Sequence, residues 1–307
     1  MLNARSYNGH GRHLHLNGLY GVAGDMVLAA LVDLGADGEY LEQEFRRLQV
    51  GISRLTFAEV MRAGIRGRQM LIVEGEDAGG RPAPDNRTDS GPATNHACPG
   101  DRHQQHAADC TSEHPRPHDH HHDSHQHAHG PHRHLKDMLA IVNRSDASRQ
   151  AKERAVRALR VLAEAEGRIH GKPADQVHFH EISGIDTIVD VLGTCMAVEM
   201  LGIASITAST ITTGHGTLHC AHGTFTVPAP ATLEIVARAG IPCQPGNVEA
   251  ELLTPTGAAL LAVLVDEFGV APPLTPERIG YGAGSFAAGD CPNLLQATLG
   301  QRITVVA

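Results

Sequence analysis

The spacing of apolar and polar residues predicts helices and strands on both sides of a polar central stretch. Apolar residues that recur every three or four positions predict helices, whereas alternating ones predict strands. The predicted helices are 25–34, 39–49, 134–143, 147–170, 185–201, 230–239 and 254–267. The predicted strands are 13–17, 55–60, 69–74, 177–181, 205–213, 224–227 and 303–306. This mixture predicts an α+β fold with mixed sheets and packed helices.

The central stretch, residues 77–133, has a different composition from the rest of the chain. It consists mainly of Gly, Pro, Asp, Asn, Ser and His and has almost no large apolar side chains. Such a segment cannot bury enough apolar surface to offset its ordering entropy. We therefore predict an N-terminal α+β segment at 13–76, a disordered His-rich insertion at 77–133, and a main α+β domain at 134–307.

Charge and composition exclude several classes of function. The net charge of −9 argues against binding to nucleic acid, which needs clustered cations, and aromatic residues make up only 3% of the chain. No apolar run approaches the length of about 20 residues that a membrane helix needs. The six cysteines form no CxxC pair, which indicates reduced thiols. We expect a cytoplasmic protein with no membrane or nucleic-acid partner.

Histidine is the one residue type in large excess. Of 22 histidines, 13 lie between His96 and His134. Neutral imidazole binds Ni²⁺, Zn²⁺ and Cu²⁺, and ligands on a flexible chain form many sites without imposing a geometry. We predict that this tract binds or delivers metal; the alternative is a solvated linker without function. Its densest part supplies the predicted ligands His120, His121, His122, His125, His127 and His129.

A second histidine motif, VHFHE, precedes two aspartates. On a strand, His178 and His180 share one face and can bind one metal ion. Asp186 and Asp190 follow four residues apart, so both lie on one face of the predicted helix. They either cap the helix and complement its dipole, or supply a second shell of metal ligands or a base.

The third motif is a ten-residue stretch, 214–223, that glycines bracket. It contains three histidines and a thiol, from which we select His219 and His222 as metal ligands. We predict a mobile loop rich in ligand atoms. The alternative is a turn whose histidines are only polar surface residues.

Two glycine-rich motifs are candidate ligand contacts. Gly21, Gly24 and Asp25 join the first strand to the first helix, where free N–H groups can hold a phosphate. Gly282 and Gly284 lie in a second stretch, which we interpret as a nest-like loop. Neither motif has the lysine of a P-loop, and either can be only a tight turn.

Six stretches, taken together and in order, resemble the nickel insertion protein family of nickel-pincer cofactor synthesis, the LarC family. They are GVAGDM (21–26), HLKDM (134–138), HFHEISGIDTIVDV (178–191), CAHGTFTVPAPAT (220–232), ELLTPTGAALL (251–261) and IGYGAG (279–284). The resemblance extends from about His15 to Gly300, outside the polar stretch. Any one stretch is a weak signal, whereas six in order are specific.

The resemblance implies a cyclometallase of the lyase class. Such a protein inserts Ni²⁺ into pyridinium-3,5-bisthiocarboxylic acid mononucleotide and consumes CTP with Mg²⁺ or Mn²⁺. The product holds nickel by two sulfurs and a ring carbon and serves lactate racemase and related enzymes. We expect the substrate phosphate near Gly24 and a base among His180, Glu181 and Asp186.

The resemblance also implies a missing part and a rival function. Family members continue past the last matching stretch, and their nucleotide site is assigned to that further part. We therefore expect the CTP site outside this chain and a separately encoded C-terminal nickel-insertion subunit as a partner. The alternative function is nickel storage or a metallochaperone role without catalysis, which needs the histidine tract but no substrate site.

Deleting residues 96–133 should remove most of the nickel bound by the chain. Because protons compete with metal for imidazole, we expect more than about two Ni²⁺ per chain at about pH 7.5 and a sharp fall by about pH 5.5. Equilibrium dialysis of both proteins measures this. Thermal unfolding should stay cooperative in the deletion variant; loss of that cooperativity would show that the tract belongs to the fold.

Overall fold

Seven strands form one mixed sheet to which both halves of the chain contribute. The computed structural model describes residues 11–75, 134–177, 184–220, 223–286 and 291–303, and these fall within one compact unit. The strands of the described residues are β1 (Arg12–Asn17), β2 (Ile52–Arg62), β3 (Ile65–Glu74), β4 (Ile203–Ala208), β5 (Ile211–Thr212), β6 (Thr217–Cys220), β7 (Gly223–Thr226), β8 (Cys243–Gln244), β9 (Glu267–Phe268), β10 (Leu274–Ala283) and β11 (Leu294–Arg302). The order across the large sheet is β2-β3-β10-β11-β1-β4-β9.

The large sheet contains parallel and antiparallel pairs. β1 pairs antiparallel with β11 and parallel with β4, so His13 lies opposite Gly300 on one side and beside Ser205 on the other. β10 pairs antiparallel with β11 and parallel with β3. Two small sheets stand apart, parallel β5–β8 and antiparallel β6–β7. The segments before and after the polar stretch therefore build one sheet together.

The helices cover the sheet and pack on one another. They are α1 (Gly24–Asp33), α2 (Gly38–Arg47), α3 (Leu135–Arg144), α4 (Arg149–His170), α5 (Ile185–Ile188), α6 (Thr194–Met200), α7 (Pro230–Ala239) and α8 (Pro255–Leu264). A π-helical turn, Val189–Gly193, joins α5 to α6, so these form one continuous helix. No helix within the described residues is long and apolar enough to cross a membrane.

Local capping chemistry sets where two of these helices begin and end. The Ser148 hydroxyl accepts a hydrogen bond from the N–H of Ala151 and caps α4, which ends at Gly171 in the left-handed conformation. Thr254 caps α8 in the same way, with Pro255 as the first helical residue. These ends follow from the sequence because each cap uses only near neighbours.

Helix α1 lies directly against strand β10. Gly280 and Gly282 of β10 face it, and a β-carbon added at Gly282 would lie 1.9 Å from the carbonyl oxygen of Met26. The helix is almost wholly buried, as its apolar sequence predicts. Backbone therefore packs on backbone at this contact, which brings the start of α1 close to the end of β10.

The predicted fold class is confirmed: helices pack on a mixed sheet. The helix predicted at 230–239 has the predicted bounds, and most other predicted elements differ from the observed ones by a few residues at their ends. The predicted disordered insertion, 77–133, lies outside the described residues. So do most residues of the strands predicted at 177–181 and 303–306.

Two predicted continuous elements are broken in the structure. The strand predicted at 205–213 divides into β4 and β5, which belong to different sheets. The N–H of Ser209 bonds to the carbonyl of Leu16, at the point where the chain leaves the large sheet. The helix predicted at 254–267 ends at Leu264, and Glu267–Phe268 pairs with β4 instead. Tertiary pairing overrides local pattern in both cases.

Two predicted loops are largely strands. The interpretation of residues 280–284 as a nest-like loop is wrong, because they mostly belong to β10, whose glycines accommodate α1. The stretch 214–223 contains β6 and the start of β7, which form a hairpin rather than one mobile loop. A glycine within a strand often marks the close approach of another backbone. From sequence alone, such a glycine looks the same as a glycine in a turn.

Replacing Gly282 with Ala should destabilise the fold by about 1–3 kcal/mol or more, because the added methyl group overlaps the α1 backbone. Urea unfolding measures the change. Gly75→Ala is the matched control, since its added β-carbon would make only ordinary contacts of 3.6 Å or longer. Equal effects of the two substitutions would contradict the packing described here.

Candidate functional site

The loop from β1 to α1, residues 21–26, is the point at which several of the sequence motifs meet. The N–H of Val22 bonds to the carbonyl of Leu252 at 2.8 Å, and the N–H of Thr254 bonds to the carbonyl of Val22 at 3.2 Å. A β-carbon at Gly257 would lie 2.2 Å from the Val22 carbonyl oxygen. The stretch 251–261 thus packs on this loop through backbone groups.

The π-helical turn brings Asp190 to the same place. A β-carbon added at Gly24 would lie 2.3 Å from Oδ2 of Asp190, so the carboxyl group rests on the first residue of α1. Asp190 is buried, with 6% of its surface exposed, and its Oδ1 has no hydrogen-bond partner among the described residues. π-Helical turns are rare and often occur at functional sites.

The end of β10 is the third part of the structure that contacts the first turn of α1, after the 251–261 stretch and Asp190. A β-carbon at Gly284 would lie 1.7 Å from Oδ1 of Asn293 and 3.2 Å from the sulfur of Met26. Asn293 is buried in a left-handed conformation, and its Oδ1 has no hydrogen-bond partner within the described ranges. The motifs at 21–26, 185–191, 251–261 and 279–284 therefore meet around the first turn of α1.

Three carboxyl groups dominate the electrostatics of this site. The pKa of Asp25 is raised from its ordinary value of 3.8 to about 6, mainly by burial. The hydrogen bond that Asp25 accepts from the Met26 N–H lowers this pKa, and the charge of Asp186 raises it. Burial first, then the charges of Asp25 and Asp186, raise the pKa of Asp190 well above its ordinary value.

The first turn of α1 is a poor match for the predicted phosphate cradle. The Met26 N–H is already bonded to Oδ1 of Asp25 at 2.8 Å, and the nearby carboxyl groups repel anions. Close packing also accounts for the glycines, since Gly21 has a φ of +109° and a β-carbon added there would lie 2.6 Å from the Leu252 carbonyl oxygen. The ligand-binding roles of Gly21, Gly24, Asp25, Gly282 and Gly284 remain predictions.

Arg62 is a cation next to this site that the sequence reasoning missed. Its Nη2 lies 3.5 Å from the carbonyl oxygen of Gly284, which also accepts a hydrogen bond from the Gln69 side chain. Its Nε is buried and has no hydrogen-bond partner in the described part of the chain. A guanidinium with an unused donor is suited to an anionic ligand.

His219 lies on a separate surface hairpin. Its Nδ1 is 2.7 Å from the hydroxyl oxygen of Thr224, and the residue is exposed on β6. The other predicted metal ligands lie outside the described residues: His178, His180, His222, His120, His121, His122, His125, His127 and His129. Glu181 lies outside them too. Among the described residues, no three His, Cys, Asp or Glu side chains are placed to hold one metal ion.

The structure brings Asp186 and Asp190 together electrostatically, as their spacing predicts, but in different environments. Asp186 is exposed in the first turn of α5, whereas Asp190 is buried in the π turn. The proximity of Asp190 to Asp25, more than 160 positions away in the sequence, was not predicted. One signal was available for Asp190, a charged residue inside the apolar run IVDVL. No sequence pattern marks Arg62 or Asn293.

Comparison with known proteins gives a consistent picture. The sequence model described as "Nickel insertion protein" matches residues 14–306. The "Pyridinium-3,5-bisthiocarboxylic acid mononucleotide nickel insertion protein" of Geobacillus kaustophilus is 34% identical over 292 residues, which are 95% of this chain and 60% of the relative. The "Putative nickel insertion protein" of Wolinella succinogenes is 38% identical over 280 residues, 91% of this chain and 58% of that protein. The chain thus spans about 60% of the length of these curated relatives. No solved structure matches it.

Replacing Asp25 with Asn should stabilise the fold at about pH 8 and have little effect at about pH 4. Folding raises the pKa of Asp25 from 3.8 to about 6. The ionised carboxylate therefore destabilises the fold fully above about pH 6, and this destabilisation is absent below about pH 3.8. The shift corresponds to a gain of about 3 kcal/mol at most. Urea unfolding across this pH range measures it, with Asp175→Asn, an exposed residue, as the control. A gain that is independent of pH would contradict the assignment.

Proposed function

Since this chain belongs to the nickel insertion protein family, we propose that it takes part in the insertion of Ni²⁺ into pyridinium-3,5-bisthiocarboxylic acid mononucleotide. The observation that carries this proposal is the meeting of four motifs around the first turn of α1, where carboxyl groups with raised pKa values cluster. A protein that only stores nickel needs many ligands but no such cluster.

The chemistry of the substrate explains why such carboxyl groups are useful. Nickel binds to sulfur only after the thioacid groups have lost their protons. An ion held by both groups, at ring positions 3 and 5, lies next to ring carbon 4, which carries a hydrogen. A base is therefore needed near the ring, and Asp186 and Asp25 stand on the accessible side of the cluster. His180 and Glu181 remain candidates for the same role.

The substrate is also an anion, because it carries a phosphate and two thiocarboxylic acid groups. We assign Arg62 as a contact for one of these groups, because its guanidinium lies beside Gly284. Asp190 of the carboxyl cluster packs on Gly24, whereas this guanidinium lies beside Gly284. Such an arrangement would orient the substrate, because the guanidinium holds an anionic group while the carboxyl groups face the ring that loses a proton.

The histidines supply the nickel in this proposal. The tract between His96 and His134 collects Ni²⁺, and His178, His180, His219 and His222 pass it towards the substrate. CTP with Mg²⁺ or Mn²⁺ is the proposed co-substrate. We place its site in the part of the relatives that this chain does not match.

Mass spectrometry of the mononucleotide after incubation with the chain, Ni²⁺ and Mg-CTP tests the proposal. We expect a product that holds one nickel ion in place of the displaced protons when the C-terminal 40% of the Geobacillus kaustophilus relative is added, and little or none without it, because the CTP site is expected in that part. Arg62→Met should raise KM about tenfold or more by removing a charge-assisted hydrogen bond. Arg46→Met, an exposed residue on α2, is the control.

The deletion of residues 96–133 separates insertion from storage. Insertion predicts that the deletion variant still forms product when free Ni²⁺ is abundant, because the tract only raises the local supply. Storage predicts no product from either protein, with nickel bound only by the intact chain. Absence of product under every condition, including the added C-terminal part, would overturn the proposal.

A further inference from the structure

Asp190 is a buried carboxyl group without a hydrogen-bond partner, and the fold makes room for it. The absent side chain at Gly24 leaves the space that its Oδ2 occupies, and the π turn directs it there. Its Oδ1 is buried and unpartnered among the described residues. Because a carboxylate in this position would be costly, a neutral carboxylic acid is the form that the packing favours.

The environment of Asp25 differs from that of Asp190, although Asp25 directly follows Gly24, on which Asp190 packs. It accepts a hydrogen bond from the Met26 N–H, which favours its ionised form, and it is only partly buried. The hydrogen bond and the partial exposure thus favour the ionised form of Asp25, whereas burial without a hydrogen bond to Oδ1 favours the neutral form of Asp190. Two carboxyl groups in different environments commonly take different roles in proton transfer.

We propose that Asp25 is the catalytic base that takes the proton displaced by nickel from the substrate ring, and that Asp190 is a positioning residue that stays protonated behind it. This inference rests on the proposed function. It assigns a role to Asp190, and it places the base on α1 rather than in the His178–Asp186 region that the sequence favoured.

The step balances without an oxidant or reductant. The electron pair of the bond between ring carbon 4 and hydrogen becomes the bond between that carbon and nickel, which remains Ni²⁺. The proton passes to a carboxylate oxygen of Asp25, so the pair then carries two protons. Loss of one proton to water restores the starting state, because the raised pKa of Asp25, about 6, lies below neutral pH.

The other charged groups around the pair are few. Asp186 of α5 faces both carboxyl groups and raises both pKa values. Helix α8 has no charged residue, and Glu199 of α6 bonds to Ser148. Arg154 of α4 acts on the Cys195 thiol. Neither Arg62 nor any other described cation acts on the pKa of Asp25 or Asp190, so ionisation of Asp190 should repel the anionic substrate.

Steady-state kinetics of nickel insertion at several pH values test this inference. Asp25→Asn should lower kcat about a hundredfold or more with little change in KM. Asp190→Leu should lower kcat, and Asp190→Asn, which imitates the protonated acid, should recover part of that loss. In the native chain KM should rise in alkaline solution, and Asp190→Asn should abolish that rise, which a merely structural role would not do. Asp175→Asn is the matched control.

Carboxyl-carbon NMR of the same proteins gives a readout that does not depend on turnover. Signals that disappear in the two variants identify the two residues. We expect Asp25 to titrate near pH 6 and the Asp190 signal to keep its protonated position to a higher pH than that of Asp25. Titration of both groups near the ordinary aspartate value of about 4 would overturn the inference, as would full activity of Asp25→Asn. If the native chain forms no product even with the C-terminal part of the relative added, the proposed function is refuted. The NMR titration then still decides whether Asp25 and Asp190 differ in protonation.

Discussion

The contact between the first turn of α1 and the carboxyl group of Asp190 is the constraint on which the site depends. A β-carbon at Gly24 would lie 2.3 Å from Oδ2 of Asp190, so only glycine permits it. On the opposite side, Gly282 holds the same turn against β10. Since protein interiors are close-packed and transmit small displacements, the position of α1 sets the positions of Asp25, Asp190 and Asn293 together.

This arrangement carries a cost in stability. Burial raises the pKa values of Asp25 and Asp190, and Oδ1 of Asp190 has no hydrogen bond among the described residues. Buried apolar side chains such as Leu28, Ile188 and Val189 offset that cost. Features that destabilise a fold and lie together are typical of sites where chemistry takes place. The carboxyl cluster is in this sense a better indicator of function than the glycines beside it, which packing alone explains.

Storage and insertion of nickel make opposite physical demands on a protein. Storage is served by many imidazoles on a flexible chain, because no geometry has to be maintained. Insertion needs a few groups held in place relative to a substrate, and rigid elements hold groups more accurately than loops do. The histidine tract fits the first demand, and the surroundings of α1 fit the second, so one chain contains features suited to both.

The sequence by itself determined most of the helices, their caps and the family. Amphipathic spacing and caps such as Ser148 and Thr254 depend on residues within a few positions, and six motifs in order identify the family. Tertiary structure alone decided how the strands pair, why residues 280–284 form a strand, and that Asp190 meets Asp25. Those features depend on contacts between residues far apart in the chain, and a periodic pattern contains no information about which distant backbone will lie against a given glycine.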